Sequence, residues 1–281
     1  MTMIFGVVDM FFYSVIDSVA FRIGPLSVHW YGIIIGSAIF LALYLALREA
    51  KRLGINQDYF VDVVMFGVPA AIIGARLYYV AFRWEYYGQN PGEIIAVWQG
   101  GLAIHGGLIG ALLAAYIYTR VKNISFWMMA DVAAPSFLLG KAMGRWGNFI
   151  NQEAHGGPIT EKSQWIIDIL PWWIAEHMNI GGVYYHPTFL YESLWNVAGI
   201  LLIIFWLRRQ DWVRRGDVFL GYAIWYSVGR FFIEGMRTDS LMLTETLRIA
   251  QVMSGGIIIG AAVLMWYRRA NGYADKKYGE Q

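Results

Sequence analysis

The apolar residues of this chain fall in seven long blocks, each close to the roughly 20 residues that an α-helix needs to cross a bilayer. Hydrophobic residues make up 58% of the chain and charged residues 15%, whereas soluble domains are about 25% charged. The pattern predicts an all-α, polytopic membrane helix bundle with about seven transmembrane helices. The predicted spans are about 27–47, 60–82, 101–119, 125–143, 190–207, 217–234 and 249–267.

Two of these spans are weaker candidates than the others, because each contains charged residues. The second span includes Asp62 and Arg76, and the fourth includes Asp131 and Lys141. Charged side chains within a span are costly, so they are expected to face the bundle interior rather than lipid.

Basic residues outside the spans are distributed unequally, with thirteen on one side and five on the other. Because cytoplasmic loops are enriched in Lys and Arg, the bias predicts a cytoplasmic C-terminus, and an odd number of spans puts the N-terminus outside. The side with fewer basic residues carries Arg22, Arg83, Lys162, Arg237 and Arg248. The richer side carries Arg48, Lys51, Arg52, Arg120, Lys122, Arg208, Arg209, Arg214, Arg215, Arg268, Arg269, Lys276 and Lys277.

The chain shows no internal repeat or soluble domain, so we expect one integral membrane domain over 1–281. Its longest loop, about 145–188, is expected on the outer side. Trp165, Trp172 and Trp173 in this loop are typical of residues at the membrane interface. No cleavable signal peptide is evident, because Asp9 interrupts the first apolar run, and the first span is expected to act as the targeting signal.

Several functional classes are excluded by composition. The chain has no cysteine, which excludes disulfides, thiolate metal sites and a cysteine nucleophile. A net charge of +2 is too small to indicate a nucleic-acid partner. The five histidines lack H-x-x-x-H or H-E-x-x-H spacing, so no metal site is predicted, and nothing indicates another cofactor.

A polar cluster follows the fourth span on its outer side and comprises Arg145, Asn148, Asn151 and Glu153. A guanidinium and two amides within seven residues suit a phosphate group, with the arginine supplying a bidentate fork. Alternatively, Arg145 and Glu153 simply pair and order the start of the loop.

A second polar cluster lies along the sixth span. Tyr226, Arg230, Glu234 and Arg237 occur at i, i+4, i+8 and i+11, which predicts one helical face directed into the bundle. The alternative is an internal ion-pair ladder, in which Glu234 neutralises one arginine and leaves the other needing a partner. Two such clusters indicate a buried site for an anion.

Three further segments begin spans at the outer level. His105 is flanked by glycines and could exchange a proton, although a glycine packing motif with a hydrogen-bonded histidine explains the segment equally well. Tyr31 follows His29 and Trp30 in what alone would be an aromatic belt. Glu192, just after Pro187, suits a helix-dipole role better than catalysis.

Together these segments resemble the bacterial prolipoprotein diacylglyceryl transferases over nearly the whole chain, and five motifs stand in that family's order. Thr238 stands where the family often has a proline, and the loop after Glu153 reads Ala-His-Gly-Gly-Pro. The motifs are His-Trp-Tyr-Gly at 29–32, His-Gly-Gly-Leu-Ile-Gly at 105–110, Gly-Arg-x-Gly-Asn-Phe-Ile-Asn-x-Glu at 144–153, His-Pro-x-x-Leu-Tyr-Glu at 186–192 and Gly-Arg-Phe-x-x-Glu-x-x-Arg at 229–237.

The resemblance implies a seven-span enzyme of the bacterial plasma membrane. It would move the diacylglyceryl group of phosphatidylglycerol onto the lipobox cysteine of a prolipoprotein, forming a thioether and releasing glycerol 1-phosphate. It also implies roles for ten residues. His105, Arg145 and Arg230 are expected to be catalytic. The residues expected to bind or orient substrate are Tyr31, Asn148, Asn151, Glu153, Tyr226, Glu234 and Arg237.

The competing class is a membrane transporter of an organic anion or a phosphate-bearing lipid, in which the same arginines bind the anion without bond cleavage. Repeated halves with broken helices would favour it, and no such repeat is evident in the sequence. The general base, the ranking of Arg145 against Arg230, the lipid route and the oligomeric state stay open at this level.

Overall fold

Seven helices of 18 residues or more form a bundle in the described part of the chain. The computed structural model describes residues 16–24, 26–244 and 247–280. The expected absence of a signal peptide concerns Asp9, which lies outside these residues. The long helices are α1 Trp30–Arg52, α2 Asp58–Phe82, α3 Ile104–Val121, α4 Phe126–Ile150, α5 Thr188–Phe205, α6 Asp217–Glu234 and α7 Ile249–Ala270.

Five of these helices are long and apolar enough to cross a membrane: α1, α2, α3, α5 with the turn that follows it, and α7. The other two, α4 and α6, contain the charged clusters. Asp131, Lys141 and Arg145 lie within α4, and Arg230 and Glu234 lie within α6. A mostly helical membrane bundle is therefore confirmed, whereas the count of seven spans stays a prediction.

The helices alternate in direction, so their connections collect at two ends. We call one the basic end, formed by loops 53–57, 122–125, 206–216 and 271–280. Here Glu49, which is 4% exposed, accepts hydrogen bonds from Arg52, Arg208 and the Tyr278 hydroxyl. We call the opposite end the loop-rich end, formed by 16–24, 26–29, 83–103, 151–187, 235–244 and 247–248.

Buried polar side chains join the helices at the basic end. Asp131, in α4 and 1% exposed, accepts hydrogen bonds from the backbone N–H groups of Gly216 and Phe219. These groups lie at the start of α6, where unpaired N–H groups and the helix dipole favour a carboxylate. The charge that weakened the fourth span thus caps a neighbouring helix.

Helices α2 and α3 approach so closely that glycine is required at their contact. A Cβ atom on Gly106 would lie 2.3 Å from the Gly74 carbonyl oxygen, and one on Gly74 would lie 2.4 Å from the Gly106 carbonyl oxygen. The packing explanation of the glycines beside His105 therefore holds for Gly106, as membrane helix contacts favour small residues.

We expect Gly106→Ala to destabilise the bundle by about 1–3 kcal/mol, because the added methyl group overpacks a backbone contact. Thermal unfolding in detergent measures the effect. Gly36→Ala is the matched control, since a Cβ on Gly36, in α1, meets no atom within 4 Å. Equal midpoints for the two variants would contradict the close packing of α2 on α3.

Short elements complete the loop-rich end. Phe149, Ile174, Met178 and Phe189 form a buried cluster there, which fixes the outer loop on α4 and α5. The strands are β1 Val19–Ile23 paired with β2 Leu26–His29 and β3 Asn179–Ile180 paired with β4 Val183–Tyr184, both antiparallel. The short helices are Trp84–Tyr87, Trp165–Ile169 and Trp172–His177, with 3₁₀ turns at Pro91–Glu93, Val97–Gln99, Glu161–Ser163 and Leu207–Arg209.

The end of the fourth helix and the placement of Arg237 differ from those expected. The fourth helix continues seven residues past 143, to Ile150, so Arg145 and Asn148 lie on a helix and not in the loop. The sixth helix ends at Glu234 as expected, but Arg237 lies beyond it and is therefore not on the predicted helical face. Hydropathy alone cannot follow a helix through polar residues that are stabilised by partners on neighbouring helices.

Candidate active site

Glu192 on α5 is the centre of a buried charge cluster near the loop-rich end. Its Oε2 lies 2.8 Å from Arg145 Nε in an ion pair, and its Oε1 accepts a hydrogen bond from Arg230 Nη1 at 3.2 Å. The Glu192 side chain is only 5% exposed. One carboxylate thus joins the arginines of α4 and α6, which the sequence predicted as separate clusters.

Arg230 contacts a second carboxylate within its own helix. Its Nη2 lies 2.6 Å from Glu234 Oε2, and the Glu234 side chain is 4% exposed. The predicted ladder on α6 therefore exists between these two residues, which are four apart. Arg230 is held from two sides by Glu192 and Glu234, so its guanidinium has a fixed plane.

A hydrogen-bond chain continues from Arg145 to the protein surface at the loop-rich end. Arg145 Nη1 donates to Asn148 Oδ1 at 3.3 Å, and Asn148 Nδ2 donates to Glu153 Oε1 at 2.8 Å. Asn151 Nδ2 donates to the same oxygen at 3.4 Å. Arg145 pairs with Glu192 and not with Glu153, so the proposed simple pairing of Arg145 with Glu153 is wrong.

Each arginine keeps one guanidinium nitrogen that has neither a hydrogen-bond nor an ion-pair partner among the described residues. For Arg145 this is Nη2, because Nε and Nη1 are engaged, and for Arg230 it is Nε. A guanidinium has five N–H donors and no acceptor, so these nitrogens remain available to an anion's oxygen atoms.

Tyr31 on α1 is held against the same helix as Arg145. A Cβ on Gly147 would lie 2.4 Å from the Tyr31 ring, so glycine at this position lets the ring pack closely on α4. The Tyr31 side chain is 42% exposed. Tyr226 lies one turn before Arg230, and the Lys141 ammonium lies 3.8 Å from the centre of its ring.

Arg237 contacts a different acid, Asp239, at 2.8 Å. The hydrogen bond from Arg237 lowers the pKa of Asp239 below its ordinary value. Arg237 also forms an isolated antiparallel β-bridge with Gly156. A Cβ on Gly156 would lie 2.7 Å from His186 Cβ, so this contact joins the ends of α4, α5 and α6.

Among the described residues, His105 makes no polar contact with the charge cluster. It stands at the start of α3, is exposed, and has the Tyr78 ring as its aromatic neighbour at 6.1 Å. Within residues 16–24, 26–244 and 247–280, no hydrogen bond or ion pair links it to Arg145 or Arg230. The structure thus joins six of the ten predicted site residues around Glu192, whereas Tyr31, Tyr226, Arg237 and His105 make their contacts with other residues. The six are Arg145, Arg230, Glu234, Asn148, Asn151 and Glu153.

Glu192 is a site residue whose central role the sequence did not predict. Pro187 stands at the N-cap and Glu192 is the fifth residue of α5, so its side chain joins other helices instead of capping its own. An available signal was the position of an acid inside an apolar block, which by default indicates a buried partner. The sequence does not reveal which cations that partner would be.

An open recess of about 740 Å³ adjoins the outer end of the hydrogen-bond chain. Its polar lining comprises Asp17, Ser18, His29, Asn151, Gln152 and Glu153. No group of three metal-ligating side chains occurs among the described residues. The arrangement can bind an anion through guanidinium groups and admit a polar molecule from the loop-rich end.

His177 anchors the outer loop beside this recess. It is 5% exposed, its Nε2 lies 2.8 Å from the Phe149 carbonyl oxygen, and its Nδ1 accepts from the Ile16 N–H at 3.4 Å. Both contacts require the neutral imidazole with its proton on Nε2. Burial lowers the pKa of His177 below its ordinary value of 6.5.

We therefore expect stability to fall as the solution is acidified. With a lowered folded-state pKa, the unfolded chain binds more protons just below pH 6.5, so the stabilisation is present above that pH and is lost as pH falls. Unfolding midpoints measured across this range should fall more steeply for the wild type than for His177→Gln. Parallel pH profiles would contradict a neutral, buried His177.

Comparison with known proteins gives one consistent result. The family model described as prolipoprotein diacylglyceryl transferase matches residues 18–267. Among curated proteins, the phosphatidylglycerol–prolipoprotein diacylglyceryl transferase of Bacillus velezensis is 57% identical over 94% of this chain and 97% of its own length. The protein of the same name from Bacillus cytotoxicus is 60% identical over 95% of this chain and 97% of its own length.

Proposed function

The chain belongs to the prolipoprotein diacylglyceryl transferase family, and we propose that it transfers the diacylglyceryl group of phosphatidylglycerol to the lipobox cysteine thiol of a prolipoprotein. The products are a thioether-linked peptide and glycerol 1-phosphate. The observation that supports this best is the meeting of Arg145 and Arg230 on one buried glutamate, with a free guanidinium nitrogen on each.

The reaction increases charge on the phosphate. The cysteine sulfur attacks the diacylglyceryl carbon that carries the phosphate, a C–S bond forms, and the C–O bond breaks with its electron pair going to the leaving oxygen. A phosphodiester with one negative charge leaves as a phosphomonoester that approaches two. Cations fixed where this charge develops stabilise the transition state more than the ground state.

We assign roles to the site residues on this basis. Arg145 and Arg230 contact the phosphate oxygens, while Glu234 and the amides Asn148 and Asn151 keep the charged groups in position. Glu192 belongs to the same set as a positioning residue, because it fixes both arginines. Glu153, which lines the open recess, and the half-exposed Tyr31 are proposed to orient the lipid headgroup.

The proton of the cysteine thiol must also be removed, and we assign this step to His105. Its side chain is exposed at the start of α3, at the same end of the bundle as the arginine cluster, so it is accessible to a substrate. Tyr226 and Arg237 lie beside the arginine cluster, one turn deeper and nearer the outer surface respectively, and are proposed to complete the lipid site.

We further propose that all seven long helices cross the bacterial plasma membrane as one domain over 1–281. Helices α4 and α6 fall short in apolarity because of residues that pair with one another inside the bundle, and such pairing is how charged groups are tolerated at membrane depth. The basic end would be cytoplasmic, the loop-rich end and the N-terminus outside, and the loop over about 145–188 would lie at the outer surface.

The function is tested with purified protein in detergent, phosphatidylglycerol and a peptide that contains a lipobox cysteine. We expect the peptide to gain one diacylglyceryl mass for each glycerol phosphate released. A folded protein that yields neither product, but carries an organic anion across liposome membranes, would replace the transferase with the transporter alternative.

A further inference from the structure

Lys141 is a half-buried cation to which no role has been assigned above. It lies on α4 one turn before Arg145, is half-buried, and its ammonium is 3.8 Å from the centre of the Tyr226 ring. No carboxylate lies within ion-pair distance of it in the part of the chain that the structure describes. An aromatic face attracts an ammonium but leaves its full positive charge in place.

Without Lys141, the positive and negative charges of the neighbouring buried side chains are equal in number. Arg145 and Arg230 carry two positive charges, and their partners Glu192 and Glu234 carry two negative charges, all in side chains no more than 21% exposed. The exposed Glu153 is screened by solvent, and Arg237 is matched by Asp239. Lys141 therefore gives the buried cluster a net charge of one positive unit.

The position of Lys141 brings this charge to the arginines. Lys141 precedes Arg145 by four residues on α4, and Tyr226 precedes Arg230 by four residues on α6, so the Lys141–Tyr226 contact lies one turn below the two arginines. Like charges four residues apart on a helix repel each other. The repulsion between Lys141 and Arg145 does not stabilise the unliganded protein, whereas a bound anion would neutralise it.

We propose that Lys141 is a substrate-binding residue that matches the charge of the phosphate group. The phosphodiester of the lipid, with one negative charge, neutralises the cluster on binding, and Lys141 then attracts the additional charge that develops on the departing phosphomonoester. The Tyr226 ring holds the ammonium below the arginines. This inference rests on the proposed function and deepens its anion site.

The test compares steady-state kinetics and product inhibition in Lys141→Gln, Lys141→Arg and wild type. We expect Lys141→Gln to lower kcat/KM for phosphatidylglycerol about 10-fold and to weaken inhibition by added glycerol 1-phosphate by about the same factor or more. Lys141→Arg should restore both. Lys141→Met, which suits apolar surroundings, is the second neutral variant should the glutamine variant fail to fold.

The matched control is Lys122→Gln, because the Lys122 ammonium also lies over a tyrosine ring, that of Tyr118, at 5.9 Å but at the basic end. We expect it to behave as wild type. If the neutral variants at 141 unfold at lower temperature yet keep the wild-type inhibition by glycerol 1-phosphate, Lys141 is structural and the inference is wrong. If wild type itself forms no lipidated peptide, the proposed function fails instead.

Discussion

Replacing Arg230 by glutamine should lower kcat/KM for diacylglyceryl transfer about 100- to 1,000-fold, the range observed when one preorganised donor to a developing oxyanion is removed. Glutamine lacks the charge and cannot contact Glu192 and Glu234 together, as Arg230 does. Arg145→Gln should have an effect in the same range. The double variant should lose less than the product of the two factors, since both arginines act on one phosphate.

Arg52→Gln is the control for these substitutions. Arg52 pairs with the buried Glu49 at 2.6 Å, at the basic end and far from the proposed phosphate site. The Arg52→Gln substitution should leave kcat/KM of the folded protein unchanged. Full activity in Arg230→Gln, measured by mass spectrometry of the peptide, would remove the phosphate site from the account.

Glu192→Gln should lower kcat about 100-fold without raising KM for phosphatidylglycerol. The substitution leaves the cluster more positive, so binding of the anionic lipid is kept, but the two guanidiniums lose the carboxylate that fixes them toward one point. The free energy of unfolding should also fall by about 3–5 kcal/mol, because buried cations lose their partner. Steady-state kinetics and thermal unfolding measure the two effects separately.

Glu49→Gln separates loss of stability from loss of positioning. Glu49 is also a buried glutamate held by two arginines, Arg52 and Arg208, but it lies at the basic end. Glu49→Gln should lower the free energy of unfolding as Glu192→Gln does, while each folded molecule keeps the wild-type kcat. If Glu49→Gln and Glu192→Gln reduce kcat equally, Glu192 has no positioning role.

Much of the helical framework could be predicted from the sequence, because apolar blocks of bilayer length have few alternatives. The sixth span was expected over about 217–234 and the structure places α6 at Asp217–Glu234. The fourth was predicted too short, since Arg145 and Asn148 looked like loop residues. What keeps them helical is Glu192 on another helix, a contact between distant residues that local hydropathy does not contain.

The site was predicted in its parts but not in its connection. The Arg145 segment and the Arg230 segment were each recognised as polar clusters, yet the residue that joins them was interpreted as a helix-dipole partner. The ring of Tyr31 against Gly147 and the ammonium of Lys141 against Tyr226 likewise depend on how helices pack. Sequence spacing fixes which side chains share a helix face, but not which faces meet.

The most direct measurement follows one oxygen atom through the reaction. Phosphatidylglycerol carrying ¹⁸O in the oxygen that joins phosphorus to the diacylglyceryl carbon is incubated with the protein and the cysteine peptide. Our account predicts that all the label leaves in glycerol phosphate and that the peptide gains an unlabelled diacylglyceryl group, because the C–O bond breaks and the arginines receive the departing phosphate. Label retained in the lipid portion would mean that the P–O bond breaks, which contradicts the proposed transfer.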